Sequence, residues 1–252
     1  MAHCGPKLNL YREDIPLQTK KRPTIVFDLD GTLIETAPDL VATTNAVLAH
    51  FDIPPVDRAF LETAIGQGAR AMITTVLEHQ SIPYDDAKLE ELFQDYVAYY
   101  ARNISVHSRP FPGLIETLDR LEARGFAFAV CTNKLEGLSR RLLDALDLSR
   151  RFEAIVGPDT LGVAKPDPAH LLGAIRLAGG DRDSAVMVGD SAADIDAARA
   201  AGVPSVAVTF GYTAIPAREL GADRLIERYD QLPLAIDELL GAKSLTSDTK
   251  HP

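Results

Sequence analysis

The segment TIVFDLDGTL, residues 24–33, organises the interpretation of this 252-residue chain. Its apolar run Ile25–Phe27 consists of residues that favour strands and predicts a short buried strand. Two carboxylates, Asp28 and Asp30, follow directly, and a Gly-Thr pair then turns the chain. Ligands of open α/β sheets bind at the carboxyl ends of the strands. The two acids therefore predict a functional site, although an ordinary turn beside a surface acid is the alternative for this segment taken alone.

The remaining chain shows which fold surrounds this strand. Strand patterns cover residues 126–131, 153–157, 185–190 and 206–210, and helix patterns cover 113–124, 135–147, 168–178, 192–202 and about 230–240. Such alternation is typical of a parallel sheet with right-handed crossovers. We predict an α/β fold with a Rossmann-like, doubly wound parallel sheet.

One block interrupts the alternation. Residues 38–105 carry four helical patterns and no convincing strand pattern, which predicts a small helical domain inserted into a core of residues 23–37 and 106–241. The expected hinges are 34–37 and 103–112, and the run HSRPFPG at the end of the second segment is typical of a linker. Polar, proline-interrupted residues 1–22 predict a flexible extension, and residues 242–252 predict a disordered tail.

Composition limits the possible partners and location. The net charge of −10 argues against nucleic acid, because phosphate backbones need clustered cations. Two cysteines offer no disulfide framework, which predicts a reducing, cytoplasmic location. The first residues resemble no signal peptide. The sequence contains no run of about 18 apolar residues, so no membrane span is predicted. The sequence leaves the oligomeric state open between monomer and homodimer.

Polar residues at three predicted strand ends can share one reaction. A carboxylate that attacks a phosphate monoester meets a repulsion of roughly 4 kcal/mol per unit charge pair at about 4 Å and an effective dielectric near 20. Cations must offset it. Carboxylates such as Asp28, Asp30 and Asp190 suit Mg²⁺, and Lys165 adds a positive charge. Thr132 can hold phosphoryl oxygens, and Asp30 can exchange a proton with the leaving oxygen.

These residues resemble a known family. DLDGTL, the strand ending in Thr132-Asn133-Lys134, the pair Lys165-Pro166 and the segment GDSAAD are similar, in order and spacing, to the four motifs of the haloacid dehalogenase superfamily of phosphohydrolases. The resemblance covers about residues 23–240 and implies a Rossmann-like core with a helical cap after the first motif. Within the superfamily the chain most resembles phosphoglycolate phosphatases, with Glu35-Thr36 and Ala192-Ala193 as departures from the usual residues.

The resemblance also implies individual roles. Asp28 would be the nucleophile and a Mg²⁺ ligand, and Asp30 the acid/base and a ligand through its backbone carbonyl. Thr132 and Asn133 would bind phosphate, and Lys165 would position it. Asp190 would complete the metal site. Asp194 would be either a metal ligand or a residue that contacts a ligand. Asp194 could instead be a first-turn acid that stabilises the helix dipole.

Residues of the inserted block give weaker signals. The Gly66–Gly68 loop either contacts substrate, with Gly68 as the residue we select, or only starts a helix. Arg70 either meets a substrate carboxylate or lies in solvent, and Arg102 and Arg109 are weaker candidates still. Cys131 is expected in the core, since nothing indicates a reactive thiolate.

The expected function is Mg²⁺-dependent hydrolysis of a small phosphate monoester through an aspartyl-phosphate, with 2-phosphoglycolate the favoured substrate. A phosphatase or phosphomutase for a sugar phosphate, pyrophosphate or nucleotide is the alternative. A dehalogenase is disfavoured because Asp30 would have no leaving oxygen to protonate. A phospho-accepting signalling domain is the remote alternative, since such domains are about half as long and lack the insertion.

Overall fold

A computed structural model describes the backbone of residues 21–247 and the side chains of residues 21–241. The strands are β1 (Thr24–Phe27), β2 (Ile34–Glu35), β3 (Arg109–Pro110), β4 (Ala127–Cys131), β5 (Ala154–Val156), β6 (Ala185–Gly189), β7 (Ser205–Val208) and β8 (Arg224–Ile226). The helices are α1 (Ala37–His50), α2 (Arg58–Glu62), α3 (Ala69–His79), α4 (Asp86–Arg102), α5 (Leu114–Ala123), α6 (Glu136–Ala145), α7 (Pro158–Leu161), α8 (Pro168–Leu177), α9 (Ala192–Ala201) and α10 (Leu232–Ser247).

Six strands form one parallel sheet in the order β5-β4-β1-β6-β7-β8, which confirms the predicted fold class. Strand β1 is central and pairs with β4 and β6. Phe27, its last residue, lies opposite Val130 of β4 and Val188 of β6. The residues that follow these three strands therefore emerge at the same edge of the sheet.

Side chains on the two faces of the sheet enter different cores. Ile25 and Phe27 of β1 belong to a cluster that includes apolar residues of α5, α6 and α10. Val26, which points the opposite way, packs in a cluster with residues of α8 and α9. A parallel sheet covered on both faces reads as continuous apolar runs rather than as alternation. Cys131 lies in the second cluster, as expected.

The inserted block contains α1 to α4, and its apolar residues, such as Val47 and Met72, form a cluster that also includes Leu138 and Tyr212 of the core. Two short strands flank the block. β2 and β3 pair antiparallel, with Ile34 opposite Pro110, at the segments predicted as hinges. The sequence analysis missed these strands because two residues are too few to show a period-2 pattern. The division of the chain into a core and a cap domain stays a prediction.

Three details differ from the sequence-based expectations. Helix α10 continues to Ser247 and so occupies part of the predicted disordered tail 242–252, because good helix formers such as Ala and Lys follow Gly241. Between the predicted strand 153–157 and the predicted helix 168–178 the structure has a further short helix, α7, which starts at Pro158, a favourable residue for the first helical turn. Lys21 and Arg22 of the predicted flexible extension form ion pairs with Asp181 and Glu153. The remaining residues 1–20 and 248–252 lie outside the described residues.

Across residues 21–247, none of the helices combines the length and the apolar character that crossing a bilayer requires.

Candidate active site

Three carboxylates that follow two neighbouring strands meet at this edge of the sheet. Asp28 follows β1, Asp190 follows β6, and Asp194 lies in the first turn of α9. One oxygen atom from each lies within 4.8 Å of the others, and all three side chains are buried. Such a cluster of oxygen donors suits a hard divalent cation.

A lysine lies among these acids. The Nζ atom of Lys165 is 2.5 Å from Oδ1 of Asp28 and 2.6 Å from Oδ1 of Asp194. The loop that carries Lys165 is fixed by Asn133, whose Oδ1 accepts a hydrogen bond from the Lys165 N–H at 2.9 Å. The Asn133 Nδ2 group in turn donates to the Lys165 carbonyl at 3.1 Å. Asn133 thus positions the lysine through its side chain.

Asp194 serves two groups at once. Its Oδ1 faces Lys165, whereas its Oδ2 accepts hydrogen bonds from the N–H of Ser191 at 3.0 Å and from the Ser191 hydroxyl at 2.7 Å. The backbone N–H of Asp190 also donates to this oxygen, at 3.2 Å. Oδ2 of Asp194 therefore bonds to the start of α9, as the helix-stabilising alternative predicts, whereas Oδ1 belongs to the charged cluster.

Asp190 is held from two sides. Its Oδ2 accepts a hydrogen bond from the N–H of Tyr212 at 2.6 Å, and its Oδ1 accepts one from the Thr32 hydroxyl at 3.2 Å. Gly31 allows this close approach, because a Cβ atom there would lie 2.4 Å from Asp190 Oδ2 and its φ of +84° favours glycine. The turn after β1 therefore fixes the orientation of this carboxylate.

Asp30 has a lysine partner that sequence analysis did not select. The Nζ atom of Lys134 is 2.6 Å from Oδ1 of Asp30, and both side chains are buried. Thr132 accepts a hydrogen bond from the Lys134 N–H at 3.1 Å through its hydroxyl oxygen, which fixes the turn after β4. The available signal was the position of Lys134 beside Thr132 and Asn133 at a strand end.

The charges of the site do not balance. With all four carboxyl groups ionised, those of Asp28, Asp30, Asp190 and Asp194, the site would carry two more negative charges than the two ammonium groups that contact it in the described part of the chain, those of Lys134 and Lys165, can balance. A divalent cation would neutralise this excess.

The protonation equilibria reflect the same imbalance. Burial raises the pKa of Asp28 from 3.8 to about 7, even though Lys165 opposes the shift. Burial, together with the neighbouring acids, also raises the pKa of Asp190 well above its ordinary value. Burial favours the neutral form of Lys165, but the pKa of this lysine still lies above its ordinary value because Asp194 and Asp28 outweigh that effect. These residues therefore fit Mg²⁺, which the ionised form of the cluster needs for charge balance.

The inserted block touches the core at this site. A cavity of about 330 Å³ lies between them and is lined by Asp30 and Lys134 from the core and by α3 and α4 residues from the insertion. The Asn133 Nδ2 group donates a hydrogen bond to the Gly66 carbonyl at 3.2 Å. Gly68, with φ of +89°, approaches so closely that a Cβ atom would lie 2.9 Å from the Asn133 carbonyl oxygen.

The candidate residues of the insertion have different surroundings. Gly68 and Arg70 both line the cavity. The Arg70 guanidinium, however, forms an ion pair with Glu90 and lies 4.1 Å from the centre of the Phe93 ring, and its side chain is half exposed. Arg109 donates to the Ser108 carbonyl at 2.6 Å and so stabilises its own loop.

The parallel sheet, the insertion after its first strand and the buried cluster of carboxylates and lysine define an α/β enzyme with a candidate cation-dependent site. The comparison with known families agrees: residues 25–208 match the model of the haloacid dehalogenase-like hydrolases. The chain belongs to this family.

Individual relatives show which members of this family the chain resembles. The chain is 48% identical over 219 residues to the phosphoglycolate phosphatase of Mesorhizobium japonicum, with 87% of this chain and 96% of the relative covered. It is 45% identical over 221 residues to the phosphoglycolate phosphatase of Agrobacterium fabrum, with 88% and 95% covered. Among solved structures, one described as a predicted phosphoglycolate phosphatase from Haemophilus somnus 129pt superimposes with a TM-score of 0.80 at 28% identity, over 86% of this chain and 99% of that one. The predicted enzyme class, a phosphoric monoester hydrolase like these relatives, is confirmed.

Proposed function

We propose that this protein hydrolyses 2-phosphoglycolate to glycolate and phosphate. The observation that carries the proposal is the contact of the Asp28 carboxylate with the buried Lys165 ammonium, beside two further acids at one edge of the sheet. A nucleophilic carboxylate can approach a phosphate ester only where positive charge offsets the repulsion. The names of the two relatives described above, both phosphoglycolate phosphatases, support the choice of ester.

In the first half of the reaction, an Asp28 oxygen attacks phosphorus and the bond from phosphorus to the ester oxygen breaks. Asp30 gives its proton to that oxygen, and glycolate leaves. Asp28 then carries the phosphoryl group as an acyl phosphate. In the second half, Asp30 takes a proton from water, the water oxygen bonds to phosphorus, and the Asp28–phosphorus bond breaks. Phosphate departs and both carboxyl groups return to their starting state.

Mg²⁺ would be held by the Asp28 and Asp190 carboxylates and the Asp30 backbone carbonyl, with Asp194 either binding it or holding Asp190 and Lys165 in place. When bound, the ion supplies positive charge that lowers the repulsion between nucleophile and phosphate. The negative excess of the cluster supports this assignment. The Lys165 ammonium holds the Asp28 oxygen at hydrogen-bond distance and so orients the nucleophile.

The phosphoryl oxygens would lie against the Thr132 hydroxyl and the backbone N–H groups that follow β4. The Asn133 side chain is already bonded to Lys165 and to Gly66, so its contribution to phosphate binding would come through its backbone. Its side chain would act indirectly, by holding Lys165.

The cytoplasmic location expected from the sequence stays a prediction.

The size of the cavity supports a small substrate. About 330 Å³ lies at the lower end of the range for ligand pockets. Contacts between the Gly66–Gly68 loop and the core would exclude bulk water from the reacting groups.

The test is a panel of phosphate esters assayed by phosphate release. We expect the highest kcat/KM for 2-phosphoglycolate, ahead of hexose phosphates, nucleoside monophosphates and pyrophosphate. A higher value for a hexose phosphate or for pyrophosphate would refute the substrate assignment while keeping the phosphatase chemistry. Absence of phosphate release from every ester would refute the proposed reaction.

A further inference from the structure

The proposed reaction fixes where the leaving group must lie. Asp30 gives its proton to the leaving oxygen, so that oxygen has to lie next to the Asp30 carboxyl group. Asp30 also lines the cavity under the inserted helices. The remainder of the leaving group therefore enters this cavity, and the groups that line it decide which esters fit.

Most of this cavity is apolar. Its lining includes aliphatic and aromatic side chains from α1, α3, α4 and α6, among them Leu40, Met72, Phe93 and Leu138. Such a lining cannot satisfy a charged group by itself, since burying an unpaired charge is costly. A charged leaving group would need a cation in the lining.

Two cations line the cavity within the described part of the chain, and only one is available. Arg70 is half exposed, forms an ion pair with Glu90 and stacks on Phe93. Lys134, in contrast, is 8% exposed and lies directly beside the predicted acid/base, with its Nζ atom 2.6 Å from Oδ1 of Asp30. Lys134 is therefore the cation that a charged leaving group meets first.

The Lys134 ammonium retains hydrogen-bonding capacity. It has three N–H donors, and among the described residues its one hydrogen-bond acceptor is the Asp30 carboxylate. The Tyr100 ring, 4.7 Å from Nζ, covers a second direction without offering an oxygen atom. The Lys134 ammonium can therefore keep its bond to Asp30 and still donate to a ligand oxygen.

We infer that Lys134 is a specificity-determining residue that binds a carboxylate on the leaving group and makes the enzyme select phosphate esters of small hydroxy acids. The inference rests on the proposed function. In 2-phosphoglycolate one methylene carbon separates the ester oxygen from the carboxylate. An ester oxygen beside Asp30 therefore places the carboxylate within reach of the neighbouring Lys134 ammonium, which can keep its bond to Asp30 and donate a second one.

The experiment compares two esters that differ only at this group. 2-Phosphoglycolate carries a carboxylate where 2-hydroxyethyl phosphate carries a neutral CH₂OH group. We expect the wild-type enzyme to prefer 2-phosphoglycolate in kcat/KM, and Lys134→Met to lower that preference by roughly 10- to 100-fold, the effect of one hydrogen bond between charged groups. The loss should appear mainly as a higher KM for 2-phosphoglycolate.

Lys88→Met is the matched control, because Lys88 also lies over an aromatic ring, that of Phe51 at 3.9 Å, but its side chain is half-buried and does not line the cavity. This variant should keep the wild-type preference. Circular dichroism and Tm establish that both variants fold.

Several results would overturn the inference. Equal losses on the two esters in Lys134→Met would show that Lys134 acts only through Asp30. Similar kcat/KM values for the two esters in the wild-type enzyme would overturn it even if the variant does not fold, and would leave the phosphatase reaction intact. Hydrolysis of neither ester by the wild-type enzyme would refute the proposed function itself.

Discussion

The substitution Asp28→Asn should act in opposite directions on stability and on catalysis. Burial raises the pKa of Asp28 from 3.8 to about 7 in the folded protein. An acid with a raised pKa holds its proton more tightly in the folded state than in the unfolded chain. Its contribution to stability is therefore complete below pH 3.8 and is lost as the pH rises through about 7. With about 1.36 kcal/mol for each pKa unit, the ionised carboxylate costs the metal-free fold roughly 4 kcal/mol above that range.

Asparagine keeps the shape of this side chain and cannot ionise. In EDTA, we expect Asp28→Asn to change the free energy of unfolding little near pH 4 and to raise it by up to about 4 kcal/mol near pH 8. Added Mg²⁺ should stabilise the wild-type protein by binding its folded state, and should stabilise the variant much less. Turnover of phosphate esters should be lost at every pH, because the nucleophile is gone.

Urea unfolding followed by circular dichroism at several pH values, with EDTA and then with Mg²⁺, measures these differences. Asp196→Asn is the matched control, since Asp196 is an exposed acid of α9 that pairs with Arg199, and its variant should show no such dependence on pH or on Mg²⁺. A metal-free Asp28→Asn protein that is less stable than wild type near pH 8 would show that the bond to Lys165 outweighs burial. Substantial phosphatase activity in the variant would refute the assignment of the nucleophile.

Three further predictions concern the metal and the contact between insertion and core. EDTA should abolish phosphate release and Mg²⁺ restore it, whereas metal-independent turnover would contradict the proposed ion site. Gly68→Ala should raise KM and lower kcat together, because the new methyl group meets the Asn133 carbonyl; Gly202→Ala, which also has positive φ but open space around it, should cost about 1 kcal/mol of stability and leave the kinetics unchanged. Asn133→Ala should lower kcat/KM by at least about 10-fold through misplacement of Lys165, measured as phosphate release, and wild-type kinetics in this variant would show that the amide does not position the lysine.

The sequence predicted the sheet and the meeting of its charged residues for one geometric reason. Strands that run parallel end at the same edge, so the acids after β1 and β6 are expected at one edge of the sheet once the strand–helix alternation is recognised. The pairing of β1 with β6 then brings them together. Asp28 and Asp190 were found in this way. The four α-helices of the insertion also match the four helical patterns predicted for residues 38–105, because helical periodicity is a local signal.

Contacts that depend on the direction of a side chain were not accessible in this way. Lys134 lies in a segment that sequence analysis singled out, yet nothing in the segment shows that its ammonium meets Asp30, 104 positions earlier. Asn133 was selected as a phosphate ligand, whereas its amide bonds to Lys165 and Gly66. The β2–β3 pair was missed because each strand is only two residues long.

The sequence by itself therefore determined which charged residues follow the strands and which chemical groups are present, since both follow from residue type and local period. Only the tertiary structure decided which carboxylate pairs with which lysine, and which of the two cationic side chains facing the cavity is held by other groups. Those outcomes depend on the packing of distant segments across the sheet and against the insertion, where a displacement of a few ångströms exchanges one hydrogen-bond partner for another.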